Sequence, residues 1–113
     1  MLALIAQVGE SLHAVAHVTG GGIVGNVARI LPDGLEATID MTSFDTPEIF
    51  FEIQRRGQVS VAEMVRVFNC GLGMVVAIAP ASADAALRTA QEFGTSASIV
   101  GAIGRGNAGV VLA

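Results

Sequence analysis

An α+β fold, one domain with a mixed β-sheet covered by helices, is what this sequence predicts, on three observations. Its 113 residues fit a single domain, able to bury roughly two thirds of the surface of the extended chain. Segments with helical and with strand spacing are interspersed along the whole chain. The strand-like segments are of two kinds, one alternating apolar and polar residues and one apolar throughout, so that they call for different positions in a sheet.

Leu2, Ile5, Ala6 and Leu12 fall on one helical face, so residues 2–12 read as an amphipathic helix. It begins with no visible cap, as if the chain started inside a larger protein. Residues 13–18 form a short strand that runs into three glycines, and a helix follows from about Ile23 to Leu31, ended by Pro32. Asp33-Gly34 makes a turn. Residues 35–40 alternate strictly, which predicts an edge or one-sided strand. Thr46-Pro47-Glu48 is a helix entry with Thr46 as N-cap, Gly57 is its C′ residue, and Ile49, Phe50 and Ile53 pack inward. Ser60-Val61-Ala62-Glu63 is a capping box, and Val61, Met64, Val65 and Phe68 follow at helical spacing. The apolar run 74–79, between Gly73 and Pro80, predicts a strand covered on both faces and central in the sheet. Ser82 caps a helix lined by Ala83, Ala86, Leu87 and Ala90 and closed by Gly94. Residues 98–103 and 109–112 are two further strands around the turn Gly104-Arg105-Gly106-Asn107-Ala108.

Composition narrows the function classes. The net charge is −4, and all six basic residues other than the two histidines are arginines, scattered apart from Arg55-Arg56. Neutralising nucleic-acid phosphates takes clustered cations, so nucleic acid is not an expected partner. The single Cys70 rules out an internal disulfide and an all-cysteine zinc site, and points to a reducing compartment, with the cytoplasm as default. The longest apolar run, 74–81, is too short to span a bilayer, so no membrane is expected. With 52% hydrophobic and 14% charged residues and a mean hydropathy of +0.65, the chain is apolar for a free-standing domain of this size, which suggests a large face covered by a partner.

The chemistry concentrates at His17-Val18-Thr19-Gly20-Gly21-Gly22-Ile23. Glycines let the backbone bend sharply and approach another molecule closely, and the first amides of a helix beginning at Ile23 have no intrahelical partner. Such a bend can hold an anion, or it can be a strand-to-helix turn that uses glycine only for its dihedrals. No Gly-Lys-Ser or Gly-Lys-Thr follows, which excludes a Walker-type ATP cradle. His17 can transfer a proton near neutrality or satisfy backbone groups at a strand end. Two histidines do not make a zinc site, so no metal ligand is expected here. Arg29 can orient a ligand or pair with Asp33, and Asn26 can orient a ligand or tie down the loop. Cys70 reads as a small buried apolar group rather than a nucleophile, no base or cation standing beside it in sequence.

These residues, with Asn26, Arg29 and Leu31-Pro32-Asp33-Gly34, and then Glu63-Met64, Arg66 and Phe68-Asn69-Cys70-Gly71-Leu72-Gly73-Met74, resemble the carboxyl-terminal domain of the phosphoribosylformylglycinamidine cyclo-ligases, or aminoimidazole ribonucleotide synthetases. The likeness covers nearly the whole chain in order. His17 and the triple glycine set it apart from superfamily relatives such as selenophosphate synthetase, thiamine monophosphate kinase and the hydrogenase maturation proteins. Gly25 and Ala28 depart from the family pattern, which usually has an acidic or polar residue at the first and proline at the second.

The resemblance implies the second half of a two-domain enzyme of purine synthesis. In that reaction ATP phosphorylates the formyl oxygen of formylglycinamidine ribonucleotide, and an internal nitrogen closes the imidazole ring and expels phosphate. It implies that ATP and magnesium belong mainly to an amino-terminal ATP-binding domain not present in these residues, that residues 1–113 bind neither alone, and that the protein is a cytoplasmic homodimer. It points to Thr19, Gly20, Gly21, Gly22, Asn26, Arg29, Asn69 and Gly71 as substrate- or phosphate-binding residues for a phosphorylated nucleotide substrate, with Gly20 to Gly22 on its ribose 5′-phosphate and His17 as the catalytic candidate. Two other readings stay open: an assembly module of the same fold that dimerises or stabilises a partner without catalysis, and a superfamily relative acting on another phosphorylated substrate.

Overall fold

The computed structural model describes residues 1–107 and 109–113, and its elements follow the expected order. They are α1 (Leu2–Val8), β1 (Leu12–His17), α2 (Gly22–Ala28), β2 (Leu35–Ile39), α3 (Glu48–Gly57), α4 (Val61–Val67), β3 (Met74–Ile78), α5 (Ala83–Glu92), β4 (Gly101–Arg105) and β5 (Val110–Leu112). Contacts divide the chain into one unit of Met1–Val15 with Val76–Ile99 and a second of Ala16–Val75 with Val100–Ala113.

The second unit holds the core and every predicted site residue. Its sheet has the order β4-β2-β5, with β4 antiparallel and β5 parallel to β2, so the fold class is α+β with a mixed sheet. The expected edge strand is therefore the central one. Along β2, Ala37 and Ile39 are buried while Thr38 is exposed, so the alternation correctly marked one covered face. What it could not report is the lateral neighbours, since pairing partners are remote in sequence. Ala37 and Ile39 join Ala16, Val18, Ile23 and Val27 in one apolar cluster, and α2 packs on β2 and β5 to close it. β4 lies at a sheet edge with all five residues exposed, and it begins at Gly101 rather than at residue 98. The predicted turn after it includes Ala108, which lies outside the described residues.

Helix α3 starts one residue later than predicted, with Pro47 rather than Thr46 as N-cap. It ends in a left-handed Gln58 rather than at a C′ Gly57. Ile49 is 59% exposed, so of the three residues expected inside only Phe50 and Ile53 are partly covered. Phe50 meets Phe68 edge to face with ring centres 6.0 Å apart. Glu52 pairs with both Arg55 and Arg56 on the outer side. The capping box on α4 is half formed: Ser60 Oγ accepts from the Glu63 amide at 3.2 Å, while the Glu63 carboxylate turns to Arg66. Helix α2 is shorter than predicted and ends at Ala28, its last turn tightening as Ile30 and Leu31 amides bond to Val27 and Ala28 carbonyls.

In the first unit α1 is shorter than expected, stopping at Val8, and packs against α5. The end of α5 is as predicted, with Gly94 left-handed at C′ and the Gly94 and Thr95 amides bonded to Gln91 and Ala90 carbonyls. Ser82 stands at its N-cap without a side-chain hydrogen bond. β3 pairs with β1 in a sheet of two strands, so it is not central, and Met74 is 49% exposed. An unbroken apolar run fits a doubly covered strand, but its composition does not say what covers it.

Candidate functional site

The site is built from three short segments of the second unit: the 19–22 loop between β1 and α2, the carboxyl end of α4, and the 69–73 turn before β3. The strands bring the first and third together. Val18 donates its amide to the Gly73 carbonyl at 3.0 Å, and along β1 Ala16 and Val18 face the core while His17 faces solvent. His17 thus stands exposed two residues ahead of the loop.

Asn26 determines the shape of that loop. Its side chain, on a residue only 5% exposed, donates from Nδ2 to the carbonyls of Thr19 at 3.2 Å, Gly20 at 3.3 Å and Gly22 at 2.7 Å. One buried amide gathers three carbonyl oxygens, as buried polar groups require. The Gly22 amide closes the turn on the Thr19 carbonyl at 3.1 Å. It is therefore not available to a ligand, although all three glycines were expected to offer their amides. Among the described residues, the amides of Gly20, Gly21, Ile23 and Val24 have no hydrogen-bond acceptor in the chain, and Gly20 and Gly21 are exposed.

Gly22 is a glycine for packing. Its φ is +65°, and a Cβ there would lie 2.1 Å from the Val65 carbonyl oxygen and 2.9 Å from that of Arg66. The loop is thereby seated on the backbone of α4. Gly71 has the same explanation, with φ +111° and a virtual Cβ 2.9 Å from the Asp45 carbonyl oxygen. Asn69 Oδ1 accepts the Gly71 amide at 2.9 Å, and Cys70 between them is left-handed at φ 51°. Neither contact shows in the local sequence, because residue 22 meets residues 65–66 and residue 71 meets residue 45.

The charges around the loop are few. Arg66 holds Glu63 in a two-pronged pair, Nη2–Oε1 at 2.6 Å and Nε–Oε2 at 2.9 Å, which moves the Glu63 carboxyl below its ordinary range and the guanidinium above its own. Arg29 is exposed at the end of α2, and among the described residues no ion pair joins it to Asp33. Cys70 is buried, with Sγ 3.7 Å from the Met64 carbonyl, and burial pushes its thiol pKa up. That matches the small apolar role read from sequence. In the first unit a cleft of about 430 Å³ is lined by Asp84, Leu87, Arg88 and Gln91 and the 95–97 segment, and no predicted site residue borders it. Among the described residues no three His, Cys, Asp or Glu stand together as a metal site would require, and no helix is long and apolar enough to cross a membrane.

Comparison with known proteins gives this geometry its context. The family model described as AIR synthase related protein, C-terminal domain, matches residues 1–113. Over 85 residues the chain is 52% identical to the phosphoribosylformylglycinamidine cyclo-ligase of Xanthomonas campestris pv. campestris strain B100, and 49% identical to that of Xanthomonas oryzae pv. oryzae strain PXO99A. Each match covers 75% of this chain and 25% of the relative, so the chain corresponds to about a quarter of the length of those enzymes. The full-length family match and the ordered motifs around the loop together place the chain in the family of carboxyl-terminal domains of the AIR synthase-related proteins.

Proposed function

We propose that this chain is the substrate-binding, carboxyl-terminal part of an ATP-dependent cyclo-ligase that converts formylglycinamidine ribonucleotide to aminoimidazole ribonucleotide in purine biosynthesis. The observation that carries the reading is the 19–22 loop, where Asn26 draws the carbonyls inward and leaves the exposed Gly20 and Gly21 amides with no acceptor among the described residues. Unsatisfied amides on a rigid turn suit an oxyanion such as the ribose 5′-phosphate. The 49–52% identity to curated cyclo-ligases supports that choice of ligand.

In this reading the chain binds and orients. The loop amides grip the phosphate, Asn69 and Gly71 hold the neighbouring turn in place, Arg29 adds positive charge from the end of α2, and exposed His17 contacts the substrate beside the loop. Such positioning is a large part of what a ring closure needs from a protein. In the same proposal ATP and magnesium are bound mainly by a separate amino-terminal domain, and this chain supplies the substrate side of the site. The cytoplasm and a homodimer belong to the same proposal.

Ribose 5-phosphate titrated into the ¹⁵N-labelled chain should shift the Gly20 and Gly21 amides, and silence at millimolar ligand refutes the anion site. In an assay with ATP and formylglycinamidine ribonucleotide, the chain alone should be inactive, and adding the ATP-binding domain of a cyclo-ligase should restore turnover. Turnover by the chain alone would sink the division of labour. The apolar composition, 52% hydrophobic against 14% charged residues, favours the second reading, an assembly module without catalysis. A Gly21→Val variant separates the two, since intact folding with lost ribose phosphate binding supports the first and unchanged behaviour the second.

A further inference from the structure

The three-stranded sheet of the second unit ends on β4, and its hydrogen bonds show which backbone groups of that strand are engaged. The Asp40 amide bonds to the Val100 carbonyl at 2.8 Å, and the Gly106 amide to the Gly34 carbonyl at 3.0 Å. Bonded pairs recur at every second residue of an antiparallel ladder, so between these two the inward pairs are Thr38 with Ala102 and Glu36 with Gly104. β2 agrees, because Ala37 and Ile39 turn their backbone groups to β5 instead: the Ala37 amide bonds to Gly109 and the Ile39 carbonyl to the Ala113 amide. The amides and carbonyls of Gly101, Ile103 and Arg105 therefore point away from the sheet, and among the described residues they have no partner.

Sheet edges are ordinarily blunted by lysine, proline or a bulge. β4 has none of these: its register runs unbroken along a strand whose residues are all exposed, with Arg105 as its one charge. Ile103 stands across from Ala37, which is 4% exposed, and so shares the face that covers the core, yet it is itself 43% exposed. A further strand laid along β4 would complete that face.

We infer that β4 pairs antiparallel with the β4 of a second copy of this chain, about a two-fold axis at Ile103. That axis sets Gly101 against the partner's Arg105, Ile103 against the partner's Ile103, and Arg105 against the partner's Gly101. The outward groups are evenly spaced about Ile103, so each meets its complement, with two hydrogen bonds for each of these three pairs. Charge favours the same occupant. The two arginines fall at opposite ends of the paired strands, about 14 Å apart along them, each over a glycine that leaves its side chain room, whereas in-register parallel pairing would set them side by side. The pairing stands apart from the anion reading of the 19–22 loop, and gives the homodimer proposed above a surface within this chain.

Sedimentation of the chain over a range of concentrations should show a monomer–dimer equilibrium. Ile103→Pro removes an outward amide and none that bonds to β2, a change that edge strands tolerate. It should keep the parent's circular dichroism and raise the dimer dissociation constant at least tenfold. Val111→Lys, at an exposed position on β5, should leave that constant within twofold. Hydrogen exchange reads the register without a substitution: a higher protein concentration should slow the amides of Gly101, Ile103 and Arg105 and leave those of Ala102 and Gly104 unchanged. If Ile103→Pro unfolds, this exchange pattern decides alone. A monomeric parent, a larger assembly, a dimer that folded Ile103→Pro leaves within twofold, or slowing confined to other amides overturns the pairing, and none of these bears on ribose 5-phosphate binding. Slowing of the three amides only when the ATP-binding domain of a cyclo-ligase is added overturns it too, with that domain as the occupant.

Discussion

Replacing Gly22 with alanine tests whether the 19–22 loop is seated on α4 as described. Two costs follow from the geometry. Holding a residue with a Cβ at φ +65° costs about 1–2 kcal/mol. A methyl placed 2.1 Å from the Val65 carbonyl oxygen must also push α4 away from α2, and the obstructing atoms are backbone, which cannot rotate aside as a side-chain tip would. Overpacking of this kind costs about 1–3 kcal/mol. The sum, about 2–5 kcal/mol, is a large share of the 5–15 kcal/mol typical of a domain. At roughly 4 °C per kcal/mol for a chain of this size, the melting point should fall by about 8–20 °C. Gly21→Ala, whose Cβ would stand 3.8 Å from Asn26 Nδ2, meets the dihedral cost alone and should lose about 1–2 kcal/mol. Urea unfolding followed by circular dichroism gives both values, with unchanged slopes confirming comparable denatured states. A Gly22→Ala protein within 2 °C of the parent would refute the seating of the loop on α4.

Three further outcomes are expected. Ser60→Ala removes the oxygen that accepts the Glu63 amide at 3.2 Å, and should cost about 1 kcal/mol in urea unfolding; no change would mean the amide is equally well served by water. Asp40 should titrate below the ordinary carboxylate range in carboxyl NMR, because its Oδ1 accepts from the Thr42 hydroxyl at 2.7 Å and the Thr42 amide at 2.8 Å. Its contribution to stability is present above the unfolded carboxyl pKa and is lost as the pH falls through the folded value, and Thr42→Val should move the midpoint upward. Cys70, its pKa raised by burial, holds its proton more firmly folded than unfolded, so its contribution is complete below the ordinary thiol pKa of about 8.5 and is lost as the pH climbs through the raised folded value. Alkylation of native Cys70 at pH 8 should be far slower than that of the urea-unfolded chain, and equal rates would show the thiol to be accessible.

What could be read from the sequence was what neighbours in the chain decide. Ser60 caps α4 because the amide it accepts is three residues on, and Gly94 closes α5 because the carbonyls it serves lie within the same turn. The alternation along residues 35–40 reported which side of β2 is covered, since period 2 is a property of the strand alone. The sheet order was not legible, because β2 acquires its neighbours from residues 101–105 and 110–112, and nothing within residues 35–39 encodes that distance. Ile49 was expected inside on helical spacing, but spacing only says which residues share a face, and the covered face of α3 is the one carrying Phe50 and Ile53.

The site shows the same division at finer grain. Three consecutive glycines in a motif look like one signal, a flexible loop ready for a phosphate. In the folded chain they answer three separate demands: Gly20 is neither strained nor crowded, Gly21 supplies a left-handed angle, and Gly22 supplies both an angle and clearance for α4. Asn26 belongs with Gly22 rather than with the ligand, since its donor nitrogen is already spent on the carbonyls of residues 19, 20 and 22. A motif of this kind therefore records the packing of α2 on α4 at least as strongly as it records a ligand. On the proposed reading, its functional content lies in positions the fold leaves unexplained: the exposed Gly20 and Gly21 amides, and His17 on the solvent side of β1.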